Sequence, residues 1–329
     1  MGLPPSLESL RFVGRELNRP ECVLATARGD VYAADWRGGV AHLRPDGAQA
    51  LYAAALPGGR PLRPNGIALR PTGSFLLADL GEQQGGVFEL FRDGRVQPFL
   101  VEADGVALPP TNFVAEDARG RVWVTVSSRK QPRSLDFRPD CAGGFIVLKD
   151  ASSVRIVADG LGYTNEAIVS PDGRWLYVNE TFGRRLSRFP IRPDGSLGAK
   201  DVVTRFGKGT YPDGLTFDVE GHVWITSIVS NRVIRVAPDG AQALILEDAD
   251  PAYVDECEAA YLSGTMGRPH LEATSRAASS GTSRAWRSAA RTCAPRISAA
   301  CSATRSRCST PRSPGTRRRT GATEATDSF

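Results

Sequence analysis

One pattern is written five times in this chain, and it narrows the architectures open to it. The copies are Arg19–Ala34, Arg63–Asp79, Pro110–Thr125, Tyr163–Val178 and Tyr211–Thr226. Each opens on a polar loop, runs through a short apolar stretch, turns at a glycine and enters a second apolar stretch, as in Tyr211-Pro-Asp-Gly-Leu-Thr-Phe-Asp-Val-Glu-Gly-His-Val-Trp-Ile-Thr226. Short alternating runs bounded by Pro-Asp-Gly and Gly-Gly turns are strands rather than helices. A period of about 45–50 residues built from such strands is the signature of a β-propeller, one blade per copy. The predicted fold is all-β, a six-bladed propeller in which the sixth blade is missing or corrupted.

Aligning the copies brings out one column. Just before the first strand of each stand Glu21, Asn65, Asn112, Asn165 and Asp213. All five side chains offer an oxygen. A shared repeat position lies on one ring of a propeller, and here that ring is at the start of the innermost strand, facing the central channel. Asn and Asp are ordinary turn residues before a strand, but glutamate is a poor turn former, and Glu21 sits in the same column. Converging carboxylate and amide oxygens suit a hard divalent cation. The expected ligands are Glu21, Asn165 and Asp213, with Asn112 as a fourth ligand or a substrate contact. Such a cation polarises a carbonyl and acidifies water, and Asp213 is the candidate catalytic base. A cyclic ester is the natural substrate. The candidate substrate contacts are Asn65, Asn112 and Glu166. His42, His222 and His270 are scattered, which argues against a metal held by imidazoles.

The remaining expectations concern how the ring closes. Residues 8–16 read as a strand that completes the last blade, since an unpaired edge is a liability. Blade three carries an insertion, Ser127–Cys141, with Arg129, Lys130, Arg133 and Arg138; it reads as a solvated loop or a specificity loop over the pocket. A sixth blade should begin near Pro251. Instead the composition changes: after Gly267 there is no valine, lysine, asparagine, glutamine or tyrosine. The domain reading is therefore a propeller over 1–266 and an Arg/Ser/Ala-rich tail over 267–329, disordered or the out-of-frame translation of a GC-rich gene.

Charge follows the same division. From Gly267 onward twelve arginines face Glu272, Glu324 and Asp327, about +9 against a whole-chain net charge of +5, so the rest carries about −4. The basic balance belongs to the tail, and the propeller offers no electrostatic case for nucleic acid. No apolar run is long enough to span a membrane, the start lacks the regions of a secretory signal, and the expected location is the cytoplasm. The six cysteines form no CxxC pair and no framework. No obligate protein partner is evident.

The residues Arg19-Pro-Glu21, Pro110-Thr-Asn112, Thr164-Asn165 with Ser170-Pro-Asp-Gly173, and Tyr211-Pro-Asp-Gly214 with Val223-Trp224 carry a resemblance over about residues 10–270. In order and register they resemble the senescence marker protein (regucalcin)/gluconolactonase family of six-bladed propellers. The resemblance implies a divalent metal on Glu21, Asn165 and Asp213, help from Asn112, acid/base chemistry at Asp213 and hydrolysis of sugar lactones. Calcium and zinc are the implied ions, with magnesium and manganese as further candidates. Glu166 departs from the glycine frequent at that place in relatives, and as an extra carboxylate it would alter substrate choice. Three alternatives stay open: a phosphotriesterase on the same propeller, a non-catalytic metal-binding propeller, and nucleic-acid binding through the tail.

Overall fold

The computed structural model describes residues 6–272. Five four-stranded antiparallel sheets follow one another along the chain, each a simple meander. Blade one holds β1 (Val23–Ala25), β2 (Val31–Asp35), β3 (Gly39–Leu43) and β4 (Gln49–Ala53). Blade two holds β5 (Pro64–Leu69), β6 (Phe75–Asp79), β7 (Gly86–Leu90) and β8 (Val96–Leu100), and a hairpin of β9 (Glu102–Ala103) and β10 (Val106–Ala107) leads out of it. Blade three holds β11 (Thr111–Glu116), β12 (Val122–Val126), β13 (Gly144–Lys149) and β14 (Val154–Leu161). Blade four holds β15 (Thr164–Val169), β16 (Trp175–Glu180), β17 (Arg185–Pro190) and β18 (Asp201–Arg205). Blade five holds β19 (Thr210–Phe217), β20 (Val223–Val229), β21 (Arg232–Val236) and β22 (Gln242–Glu247). The fold is an all-β propeller, and each blade falls where its repeat is written.

Successive side chains of a strand point to opposite faces, and here each face is buried against a different neighbour. In β6, Phe75 and Leu77 pack with Tyr32, Ala34 and Val40 of blade one, while Leu76 and Ala78 pack with Val114, Val124 and Val126 of blade three. The switch repeats in β12, where Val122 and Val124 face blade two and Trp123 faces blade four. It repeats again in β16, where Leu176 and Val178 face blade three and Tyr177 faces blade five. Middle strands sandwiched in this way read as continuous apolar runs, whereas outer strands such as β8 and β18 are half-exposed. The first strands pack side by side in the order β1, β5, β11, β15, β19.

One expectation about closure needs correction. Residues 8–16 do not form a strand. Leu7–Ser9 is a 3-10 helix, and Gly14 and Glu16 take positive φ values of 88° and 52°, which break an extended run. The segment instead straps blade five to blade one. Leu10 packs on Val233 and Leu246 of blade five. Farther along, the Arg15 N–H donates to Gln49 Oε1 (3.0 Å), Gln49 Nε2 donates to the Arg15 carbonyl (2.8 Å), and the Asn18 N–H donates to Asp35 Oδ2 (3.2 Å) in blade one. A glutamine side chain replaces the ladder that a strand would have made.

The expectation that the sixth blade is missing agrees with the described residues, which hold five blades. Pro251–Leu262 is a helix, α1, and Arg268–Glu272 a short second one, α2. The local chemistry favours helix: Asp250 caps it, its side chain accepting from the Ala252 and Tyr253 N–H groups, and Pro251 occupies the first turn where no N–H is needed. The expectation that 267–329 is disordered or out of frame lies, from residue 273 onward, outside the described residues.

The helix α1 lies over the end of the propeller at which the inner strands begin. Its Tyr253, Val254, Cys257, Ala260 and Tyr261 pack with Tyr163, Phe182, Tyr211 and Val229. Arg184 pins it there: its guanidinium lies 4.3 Å from the Tyr211 ring centre and 4.0 Å from that of Tyr261, and it pairs with Glu258 of the helix at 2.5 and 3.0 Å. The insertion in blade three joins the same cluster through Phe137, stacked on Phe182 at 4.4 Å between ring centres.

Candidate functional site

The column of oxygen side chains is a continuous structure on this end. Asn65 Nδ2 donates to Asn112 Oδ1 (2.8 Å), Asn112 Nδ2 donates to Asn165 Oδ1 (2.9 Å), and Asn165 Nδ2 donates to Asp213 Oδ1 (2.5 Å). Four blades are thus linked by amides that all point the same way round the ring and end on a carboxylate. Each amide has a second acceptor: the Asn112 carbonyl for Asn65 (3.1 Å), the Thr164 carbonyl for Asn112 (3.4 Å) and Thr181 Oγ1 for Asn165 (3.2 Å). The three asparagines are buried and Asp213 is half-buried. The approach is close because Gly66 follows Asn65; a Cβ there would stand 2.6 Å from the Phe113 Cα.

The ring brings together Asn65, Asn112, Asn165 and Asp213. Glu21 is buried at its own ring position, where Arg19 Nε pairs with its Oε1 at 3.0 Å. Glu166 reaches sideways: its Oε2 accepts from the Leu215 N–H at 2.7 Å. The β19–β20 pairing is irregular between Pro212 and Leu215. Glu166 thus serves a strand kink in the next blade, as a bulge requires of some nearby acceptor.

Several supports of the site were not singled out in the sequence. Asn179 Nδ2 donates to the carbonyls of Asp213 (3.1 Å) and Gly214 (3.2 Å), and Thr181 Oγ1 donates to that of Pro212 (2.8 Å). Both lie at the end of β16 and hold the loop that presents Asp213. A second repeat column does the same for other blades. Asp35, Asp79 and Glu180, at the ends of β2, β6 and β16, are fully buried, and each accepts a backbone N–H where its own blade's first strand is entered, from Asn18, Arg63 and Gly162. Each also holds an arginine, Arg37, Arg60 and Arg185 respectively. An acidic residue closing the second apolar run of three repeats was the available signal.

At the opposite end, Asp218, Glu220 and His222 bring three potential ligand atoms within 4.8 Å of one another. Asp218 is accounted for as a turn clamp: it accepts from the Glu220 and His222 N–H groups and from Trp224 Nε1 (2.8 Å). Asp117 does the same in blade three for Arg119, Arg121 and Trp123. His42 is equally structural, held by Asp30 at 2.7 Å and stacked on Tyr32.

The donor set of the ring fits a hard cation. It consists of two carboxylates and amide oxygens, and each Asn oxygen that accepts one hydrogen bond keeps a second lone pair. Glu21, Asn112, Asn165 and Asp213 could hold such an ion, with Glu21 shared between it and Arg19.

Comparison with known proteins agrees with this architecture. A 6-deoxy-6-sulfogluconolactonase of Pseudomonas putida is 30% identical over 178 residues, 53% of this chain and 57% of that protein. A strictosidine synthase-like protein of Arabidopsis thaliana is 30% identical over 174 residues, 51% of this chain and 44% of that protein. The chain therefore spans about half the length of the curated relatives it matches. Among solved structures, the calcium-binding protein regucalcin of Agrobacterium tumefaciens superposes with a TM-score of 0.57 at 20% identity, covering 74% of this chain and 78% of the other. The family model described as the SMP-30/Gluconolactonase/LRE-like region matches residues 20–247, and the chain belongs to that family.

Proposed function

We propose that this chain is a sugar-lactone hydrolase that works with a divalent cation held by Glu21, Asn165 and Asp213, with Asn112 beside them. The observation that carries the reading is the one-way amide chain that runs from Asn65 through Asn112 and Asn165 to Asp213. It sets the Oδ1 atoms of Asn112, Asn165 and Asp213 in one hydrogen-bonded row across adjacent blades and ends on the Asp213 carboxylate. When bound, such a cation supplies Lewis-acid polarisation of a carbonyl. Asn165 fixes the Asp213 carboxylate by its Oδ1, and Asn179 and Thr181 fix the backbone beneath it. Asp213 so held is the general base that takes a proton from water attacking the lactone carbonyl; the ring C–O bond breaks, Asp213 returns the proton to the departing ring oxygen, and the sugar leaves as the open acid. Asn112, with its amide aimed along the ring, orients the substrate. The lactonases among the relatives support the substrate class. Calcium, magnesium or manganese suits the oxygen-only donors better than zinc.

The experiment is hydrolysis of gluconolactone by the purified chain, stripped with a chelator and reloaded with each ion in turn. Asp213→Asn should lower kcat about a hundredfold or more, the scale of a lost general base. Hydrolysis that survives both chelation and Asp213→Asn would overturn the reading. A binding propeller without turnover is the second reading, favoured by the ion pair that already engages Glu21. It expects ion binding by calorimetry with no hydrolysis under any loading.

A further inference from the structure

Blades one and two open on matching triplets, Arg19-Pro-Glu21 and Arg63-Pro-Asn65, in which only the ring residue differs. In blade two that residue is a neutral amide, and Arg63 pairs instead with the exposed Glu82 at 3.3 Å. In blade one it is a carboxylate, and Arg19 engages it directly, its Nε 3.0 Å from Glu21 Oε1. The use of the arginine therefore follows the charge of the ring residue two positions on.

The pair in blade one is fixed on both sides. The Trp36 N–H donates to the Asn18 carbonyl (2.8 Å) and the Ala34 N–H to the Cys22 carbonyl (2.9 Å), so Arg19, Pro20 and Glu21 span two anchored points of the backbone. Arg19 takes a φ of 48°, in the left-handed region that residues other than glycine enter at a cost. Its guanidinium lies over the Trp36 ring, 4.1 Å from the centre, and Trp36 Nε1 donates to the Pro64 carbonyl of blade two (3.2 Å). The Glu21 side chain is 8% exposed and that of Arg19 34%. A carboxylate so far withdrawn from water is costly without a positive charge beside it. Here the charge comes from the same short stretch of chain, held on an aromatic face.

The affinity of a site for a hard cation is tuned by the number of negative charges it presents. Glu21 and Asp213 give the ring two, and Arg19 offsets one of them. A guanidinium next to a ligand oxygen also repels an incoming divalent ion. We propose that Arg19 is a built-in counter-ion that sets the cation affinity of the ring: it neutralises Glu21 when no ion is bound, and the site fills only where a divalent cation outcompetes it. This role rests on the reading of the ring as a cation site, not on the lactonase chemistry. Its sign separates it from a packing role. Loss of a residue that merely shapes Glu21 weakens cation binding, whereas loss of a competing charge strengthens it.

The test is isothermal titration calorimetry of the full chain with calcium, magnesium and manganese in turn, comparing wild type with Arg19→Gly, Arg19→Gln and Arg19→Lys. Glycine removes the charge and is at ease at a φ of 48°. Glutamine removes the charge and keeps a side chain against Trp36, so the two neutral variants disturb the fold in different ways. Both should bind at least one of the ions about tenfold or more tightly than wild type. Arg19→Lys keeps the charge and should stay within about threefold of wild type. Equal or weaker binding in both neutral variants overturns the proposal and leaves the cation reading standing. Tightening of the same size in Arg19→Lys also overturns it, since charge would not be the cause. Binding in the neutral variants but not in wild type upholds the counter-ion and sinks the reading of this chain as a cation-dependent hydrolase. Binding in none of them sinks both.

Discussion

The side-chain amide of Asn165 donates to Oδ1 of Asp213 at 2.5 Å, joining blade four to blade five. Asn165 in turn accepts from Asn112, and Asn112 from Asn65. The rotamer of each amide is dictated by its neighbour, so the carboxylate is oriented by residues three blades away.

Cutting the chain in the middle should therefore cost more than cutting it at the start. Asn112→Ala leaves the buried Asn165 oxygen without its donor and the Asn65 amide with only the backbone carbonyl of residue 112, and should destabilise the protein by about 1–3 kcal/mol for the oxygen left without a partner. Asn65→Ala removes a donor and strands less. Urea denaturation of the two variants checks the order; equal midpoints would mean that water replaces the lost amides.

Acid should weaken the protein through Glu180. Burial alone would raise its pKa, but Arg185, Ser187 and the Gly162 N–H hold the carboxyl below the ordinary glutamate range. A depressed folded-state pKa adds stability that is complete above the unfolded value and is lost as pH falls through the folded one. Stability should therefore decline as pH drops below about 4, a range set by the ordinary glutamate pKa. Glu180→Gln should be less stable at neutral pH and show a shallower acid limb in denaturation followed against pH. An unchanged acid limb would exclude this residue as a contributor.

Docking of α1 should depend on one ion pair. The side chains of Arg184 and Glu258 are only 11% and 16% exposed, so removing either leaves the other charged and poorly hydrated. Arg184→Ala should cost about 3–5 kcal/mol, the scale of a broken buried pair. Replacing both with Met and Leu should cost less than either single truncation. Limited proteolysis within 251–262 reads the undocking directly, and a cleavage pattern equal to wild type in Arg184→Ala would refute the clamp.

The strap over 10–18 should carry stability although it forms no strand. Leu10→Asp places a charge against Val233 and Leu246, and Gln49→Ala removes both hydrogen bonds to Arg15. Each should lower the midpoint of thermal unfolding, the first by about 1–2 kcal/mol of partly buried apolar surface. A chain lacking residues 1–18 that melts where the full chain does would show that blades five and one stay together without it.

The repeat determined the blades by itself. Apolar alternation and glycine turns are local signals, and strands joined by tight turns pair with their sequence neighbours, so all five sheets lie where their copies are written. The column of Glu21, Asn65, Asn112, Asn165 and Asp213 was legible for the same reason, since a repeat position becomes a ring position. What the tertiary structure decided is how those side chains are used. The donors to Asn112, Asn165 and Asp213 come from residues 47, 53 and 48 positions away, a distance over which a sequence carries no pairing rule. The engagement of Glu166 by Leu215 and of Glu21 by Arg19, the supporting column of Asp35, Asp79 and Glu180, and the helix at Pro251 in place of a strand all depend on packing against a neighbouring element. Periodicity reports which face of an element is buried; only the assembled neighbours settle what each buried polar group meets there.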